Sequence, residues 1–357
     1  MGAGPDGRGY IPGQARSSGS GARFLHFRVR RLPAPTLLPR PNSLTETTIA
    51  RTPPAELRPP EAPALSPGNP PRQSVVGTFR EIIDDLRTYR ELLLELARRD
   101  IRIRYKQAVM GFGWAIFMPI LIVLSGVLVR VAMGQMSGSG VATGDIAGIA
   151  VKGIAWAFFV GTITFATTTL TTNHNLISKV YFPREVLPLS ALLAQCFDTA
   201  IGLVALAVLL PFLGVSLQWT LLWAPLLLLM LFLVTAAATL FLSCANLFFR
   251  DVKYIVQVLL TFGIFFTPVF YEPAMMGERG AALMQINPLS PILEGLRLSI
   301  VEGHNLLQPL TVTGRGGEAI LAWNPLGLLY AAAWGTIGLA LSALVFHRLE
   351  PAFAENV

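Results

Sequence analysis

The chain has 357 residues, 53% of them apolar and only 14% charged, with a mean hydropathy of +0.56. Soluble domains carry about 25% charged residues, so this composition excludes an ordinary soluble enzyme, and the long apolar blocks exclude a wholly disordered chain. Of the formal net charge of +7, residues 1–72 supply +6 through ten arginines against four acids, so the excess belongs to a tail and does not point to nucleic acid.

Fourteen of the 26 prolines also fall in residues 1–72, among Gly, Ser and Arg. Such a stretch buries too little apolar surface to offset its chain entropy, so residues 1–77 read as a disordered tail. Phe24-Leu25-His26-Phe27 is too short for the apolar core of a secretory signal, and the favoured reading is a dispensable tail or a translation start near Val75 or Val76.

Residues 78–107 change character. Thr78-Phe79-Arg80-Glu81 has the spacing of a capping box, with Thr78 as N-cap. Phe79, Ile82, Ile83, Leu86, Tyr89, Leu93, Leu96 and Ala97 then recur at helical spacing. A basic cluster follows at Arg98, Arg99, Arg102, Arg104 and Lys106. An amphipathic helix ending in basic residues before an apolar block suits a membrane surface, where anionic lipid contributes ~1 kcal/mol per cation. A partner protein is the other surface it could take.

Six apolar blocks follow, at 113–133, 151–172, 189–212, 220–248, 255–272 and 322–346, each near the ~20 residues that cross a bilayer. Thr267-Pro268 predicts a bend near the end of the fifth. Connections 134–150 and 213–219 lack Lys and Arg, and 273–321 balances Arg279, Arg297 and Arg315 against Glu278, Glu294, Glu302 and Glu318, whereas Lys179, Arg184, Arg250, Lys253 and Arg348 lie in the others. The positive-inside rule then places both termini in the cytoplasm, with residues 108–350 as a six-span domain and 351–357 as the C-terminal end. Lys152 and Arg130 sit near outer ends and can snorkel, and Trp156, Trp219, Trp223 and Trp323 fall at the outer interface. Ser178 is expected in the cytoplasm and Ser139 outside. Between the fifth and sixth blocks, Asn287-Pro288-Leu289-Ser290-Pro291 opens a stretch expected to form one or two short helices, and 302–320 reads as a flexible connector. The fold class is thus an all-α membrane protein, with an interfacial helix before its spans.

No catalytic set converges. Cys196 and Cys244 lie in apolar runs without metal-ligand spacing, and His26, His174, His304 and His347 are scattered. No metal site is expected. The four lysines, Lys106, Lys152, Lys179 and Lys253, do not complete a G-x-x-x-x-G-K-[ST] phosphate loop, so no cofactor is expected on this chain.

The run Glu95-Leu96-Ala97-Arg98-Arg99-Asp100-Ile101-Arg102-Ile103-Arg104-Tyr105-Lys106, with Gly111-Phe112-Gly113-Trp114 and Pro119, resembles the start of type-two ABC exporter permeases for cell-surface polysaccharides. Phe182-Pro183-Arg184-Glu185, Asn246-Leu247-Phe248-Phe249-Arg250-Asp251 and Thr267-Pro268-Val269-Phe270-Tyr271 resemble later parts of that family in the same order, across about residues 78–348. The resemblance implies a homodimer in the bacterial cytoplasmic membrane, joined to a separate ATPase subunit that binds ATP and Mg, and a lipid-linked glycan such as O-antigen or a teichoic-acid-like polymer as cargo. Short helices between spans five and six would form an outer gate. Phe182, Pro183, Arg184 and Glu185, with Arg250 and Asp251, would couple to the ATPase. Sugar rings favour aromatic faces, so Phe112, Phe117, Phe158, Phe159 and the span-five stripe Phe262, Phe265, Phe266 and Phe270 are the candidate path.

Two other classes remain open at this point. An ion-coupled transporter would use a mid-membrane charge, for which Asp198 is the candidate; its alternative role is structural, hydrogen-bonded through Gln195 or Thr199. A membrane-embedded enzyme would need a nucleophile and base that the histidines do not provide.

Overall fold

A computed structural model describes residues 75–106, 113–137, 140, 142–180, 182–216, 218–313 and 319–356. The tail through residue 74, Phe112 and Ser139 lie outside the described residues. Helices dominate: α1 (Val75–Thr88), α2 (Arg90–Tyr105), α3 (Gly113–Ser137), α4 (Thr143–Thr167), the single turns α5 (Thr169–Thr172) and α6 (His174–Ile177), α7 (Val186–Phe212), α8 (Trp223–Phe248), α9 (Val252–Gly263), α10 (Gly277–Gln285), α11 (Leu289–Arg297) and α12 (Leu326–Asn356). Among the described residues, four helical segments are long and apolar enough to cross a membrane: Thr143–Thr167, Val186–Phe212, Trp219–Phe248 and Leu326–Phe353. Helix α3 and the 12-residue α9 supply shorter apolar stretches, Pro119–Gln135 and Val252–Gly263.

Several boundaries differ from the expectations, each for a physical reason. Helix α4 starts at Thr143 rather than 151, because Asp145 accepts the Ala142 backbone N–H at 3.1 Å and stabilises an earlier first turn. Helix α9 stops at Gly263, not 272. Pro268 has no N–H and its ring would clash with the carbonyl of Ile264, so the helix ends before it. The region 302–320 is not simply a connector: strands β1 (Leu310–Thr313) and β2 (Ala319–Trp323) pair antiparallel, which delays α12 to Leu326. Helix α12 in turn runs through Pro351 to Asn356, so residues 351–356 do not form a separate end. Thr78 is not an N-cap, since α1 already begins at Val75 and buries it. The chain breaks at Tyr89, so the interfacial segment is two helices.

Two apolar cores stack along the bundle. One gathers Ile82, Leu96, Leu170, Phe182, Val186, Leu247, Phe346 and Phe353, and so unites the α7 start with the α8 and α12 ends. The other gathers Trp156, Phe158, Leu227, Phe270, Leu293 and Trp323 around α4, α8 and α11. Trp156 and Trp323 are therefore core residues rather than interfacial ones, and the Trp323 indole N–H donates to the Leu306 carbonyl at 2.9 Å.

Candidate functional site

Helix α2 packs along α7 and carries its last basic residues deep against it. Arg104 pairs with Asp198, donates to Gln195 Oε1 at 2.9 Å, and stacks 3.8 Å from the centroid of the Phe165 ring. The Tyr105 hydroxyl donates to the other Asp198 oxygen at 2.5 Å. The partners of Asp198 thus come from α2, not from Gln195 or Thr199 alone. Gly161 makes room for this cluster: a Cβ there would meet Gln195 Cδ at 2.7 Å. A cavity of about 460 Å³ opens beside it, lined by Trp114, Pro119, Trp156, Phe165 and Asp198 among others. A second, of about 600 Å³, lies between α4 and α9 against Trp156, Thr164, Lys253, Tyr254 and Gln257.

At the opposite end, α3, α4, α11 and the segments flanking α10 and α11 share one ionic network. Lys152 does not snorkel: it is 1% exposed, 3.6 Å from Glu294, and donates to the Tyr271 carbonyl at 2.9 Å. Arg297 holds Glu294 at 2.5 Å, pairs with Glu302, and lies 3.8 Å from Glu272. Arg130 lies 2.7 Å from Asp145 and 3.6 Å from Glu272, so it is held by carboxylates rather than released to a surface. Gly148 permits the approach, because a Cβ there would touch the Arg297 side chain at 3.0 Å. The network sets three cations against four carboxylates, and burial makes the Lys152–Glu294 and Arg297–Glu294 pairings costly to break. Neither network was foreseen from the sequence. The available signal was an apolar helix interrupted by Glu294 and Arg297 one turn apart.

The expected coupling residues turn inward. Phe182 and Pro183 are buried. The Arg184 backbone N–H donates to Glu350 Oε1 at 3.1 Å, and its guanidinium donates to the Glu350 carbonyl at 2.5 Å. Glu185 is 3% exposed and faces His347 at 3.3 Å. Burial, then the neighbouring Glu350 carboxylate, pushes the Glu185 carboxyl above the usual carboxylate range. Arg184 and Glu185 therefore fasten the α7 start to α12. Exposed residues at this end include Ser178, Lys179 and Val180, with Phe249, Arg250 and Asp251 on the α8–α9 turn.

The aromatic residues do not form one stripe. Phe262 lies on α9, but the helix ends at Gly263, so Phe265 and Phe266 follow through turns, and Phe270 is buried. Phe262, Phe265 and Phe266 are exposed, as is Phe117 on α3. Phe158 is core, and Phe159 packs on Trp156 with ring centroids 5.8 Å apart.

A family model described as the ABC-2 type transporter matches residues 91–301. The chain is 27% identical over 278 residues to an O-antigen export system permease protein RfbA of Myxococcus xanthus, which covers 77% of this chain and 99% of that protein. Two proteins of the same printed name from Klebsiella pneumoniae are 25% and 24% identical, over 271 and 268 residues, covering 74% of this chain and 94% of each relative.

Proposed function

Since the chain belongs to the ABC-2 type transporter family, we propose that it is the permease subunit of an ABC exporter for a lipid-linked cell-surface polysaccharide of the O-antigen kind. The carrying observation is the likeness along 94–99% of three relatives named as O-antigen export permeases. In this reading α3, α4, α7, α8, α9 with the turns after it, and α12 are six spans of a homodimer in the cytoplasmic membrane. Lys179, Arg184, Arg250, Lys253 and Arg348 lie on connections or helix ends at the α7 start and α12 end, which supports a cytoplasmic placement of that end and of both termini. A separate subunit binds ATP and Mg and supplies the energy.

The surface offered to that subunit is the exposed pair of turns, Ser178–Val180 and Phe249–Asp251, while Phe182 to Glu185 brace it from behind. The glycan path runs by the cavities on either side of Trp156, where aromatic rings and hydroxyls suit sugar faces. Helices α10 and α11 close its outer end as gate helices. The ion-coupled reading loses its basis, because Asp198 is engaged by both Arg104 and Tyr105.

The test is reconstitution in liposomes with and without the cognate ATPase. The chain alone hydrolyses no ATP, and the pair transports lipid-linked glycan only with ATP. Hydrolysis by the chain alone, or glycan movement driven by an ion gradient without ATP, would overturn the reading.

A further inference from the structure

Helix α12 places His347 and Glu350 three residues apart, hence on one face, and that face meets the α7 start and α1. Three carboxylates surround the imidazole there. His347 Nδ1 lies 3.3 Å from Glu185 Oε1 and 3.9 Å from Glu350 Oε2, while Nε2 lies 3.8 Å from Glu81 Oε2. The remaining oxygens differ in fate. Glu350 Oε1 accepts the Arg184 backbone N–H at 3.1 Å, but Glu185 Oε2 is fully buried and has no hydrogen-bond partner.

A neutral imidazole donates from only one nitrogen, and here both nitrogens face carboxylates. A proton on Nδ1 would serve Glu185 Oε1, yet it would leave the buried Oε2 without a partner and two carboxylates side by side. An orphaned, buried carboxylate oxygen in a set of hard and borderline ligands fits a cation better than a proton. Donor atoms of Glu185, His347 and Glu350 lie within 4.8 Å of one another. Ligands at ~2.0–2.2 Å around a tetrahedral ion sit roughly 3.4 Å apart, which the Glu185 and Glu350 distances bracket.

We propose that Glu185, His347 through Nδ1, and Glu350 through Oε2 hold a divalent transition-metal ion of the Zn²⁺ class that pins α12 to the start of α7. Water from the adjoining cavity of about 710 Å³, lined by Glu81, Lys179, Arg184 and His347 among others, completes the coordination. Glu81 has the complementary role. With Nδ1 on the metal, Nε2 carries the proton and lies 3.8 Å from the Glu81 carboxylate, a span that one water bridges. The site stands on this chain's own geometry, apart from its transport reading.

The experiment uses the full chain purified in detergent, stripped with a chelator and titrated with ZnCl₂ by calorimetry. The expected result is one saturable Zn²⁺ per chain, with a rise in thermal midpoint. His347→Gln and Glu350→Gln each weaken binding at least tenfold and abolish the thermal shift, whereas His174→Gln changes neither. Should the variants not fold, Co²⁺ added to the wild-type chain decides: intense visible d–d bands support a four-coordinate protein site, and the weak bands of a six-coordinate aquo ion overturn it. No saturable uptake, or uptake that survives both substitutions, also overturns it.

Discussion

Lys152 and Glu294 meet at 3.6 Å with side chains 2% and 4% exposed, joining α4 to α11 across the interior. Breaking a buried pair by removing one partner typically costs ~3–5 kcal/mol, because the other charge is left uncompensated, whereas replacing both is often neutral. Lys152→Met should therefore lower the thermal midpoint of the purified chain sharply, and adding Glu294→Gln should recover only part of the loss, because Glu294 also holds the buried Arg297. Additive losses in a double-mutant cycle would show that the two charges do not interact.

Arg104 and Asp198 give a prediction that separates structure from proton coupling. Arg104→Gln and Asp198→Asn should each lower the level of folded protein and of glycan export, and the double substitution should restore part of both. A coupling energy of ~0.5–3 kcal/mol is the range for residues in one network. Export abolished in every background carrying Asp198→Asn, with folding intact, would revive Asp198 as a proton carrier.

Gly161 tests the same cluster from behind. A valine there must displace Gln195 from the guanidinium of Arg104, since even a Cβ would lie 2.7 Å from Gln195 Cδ. Overpacking of this kind costs ~1–3 kcal/mol. The measurement is the urea or thermal midpoint in detergent, and an unchanged midpoint in Gly161→Val would rule out the close approach of α4 and α7.

The orientation is checked by labelling. With Cys196 and Cys244 replaced by Ala, Ser178→Cys should react with an impermeant maleimide only in opened cells, and Ser216→Cys in intact ones. Both residues are exposed. The reverse pattern would invert the proposed topology.

Hydropathy alone located the four membrane-length helices among the described residues, because ~20 apolar residues in a row have few other uses. It did not locate the charges' partners. Lys152 looked like a residue that could reach a surface, yet Glu294 and Arg297 lie far along the chain, and only tertiary packing brings them to α4. The inward facing of Phe182 to Glu185 was hidden for another reason. An apolar knob beside two opposite charges looks outward in one dimension, but α12 is long enough to return over it and capture Arg184 and Glu185 through Glu350 and His347. The aromatic stripe failed because helical spacing was carried past Gly263, where the helix has already stopped.

The brevity of α9 has a consequence for how the protein sits in lipid. Its 12 residues rise about 18 Å, well short of the ~30 Å hydrocarbon layer, so in the proposed six-span reading the rest of the crossing falls to the turns after Gly263. Some of that backbone is sealed from within: Tyr271 donates to the Phe265 carbonyl and Thr267 to the Gly263 carbonyl at 2.9 Å, while the Asn287 amide holds the Thr267 hydroxyl in place at 2.9 Å. Phe265 and Phe266 remain uncovered on its flank. Acyl chains offer no hydrogen bonds to non-helical backbone. A lone chain would therefore present a weak seam to the bilayer, and the second copy of the proposed homodimer is the natural shelter for it.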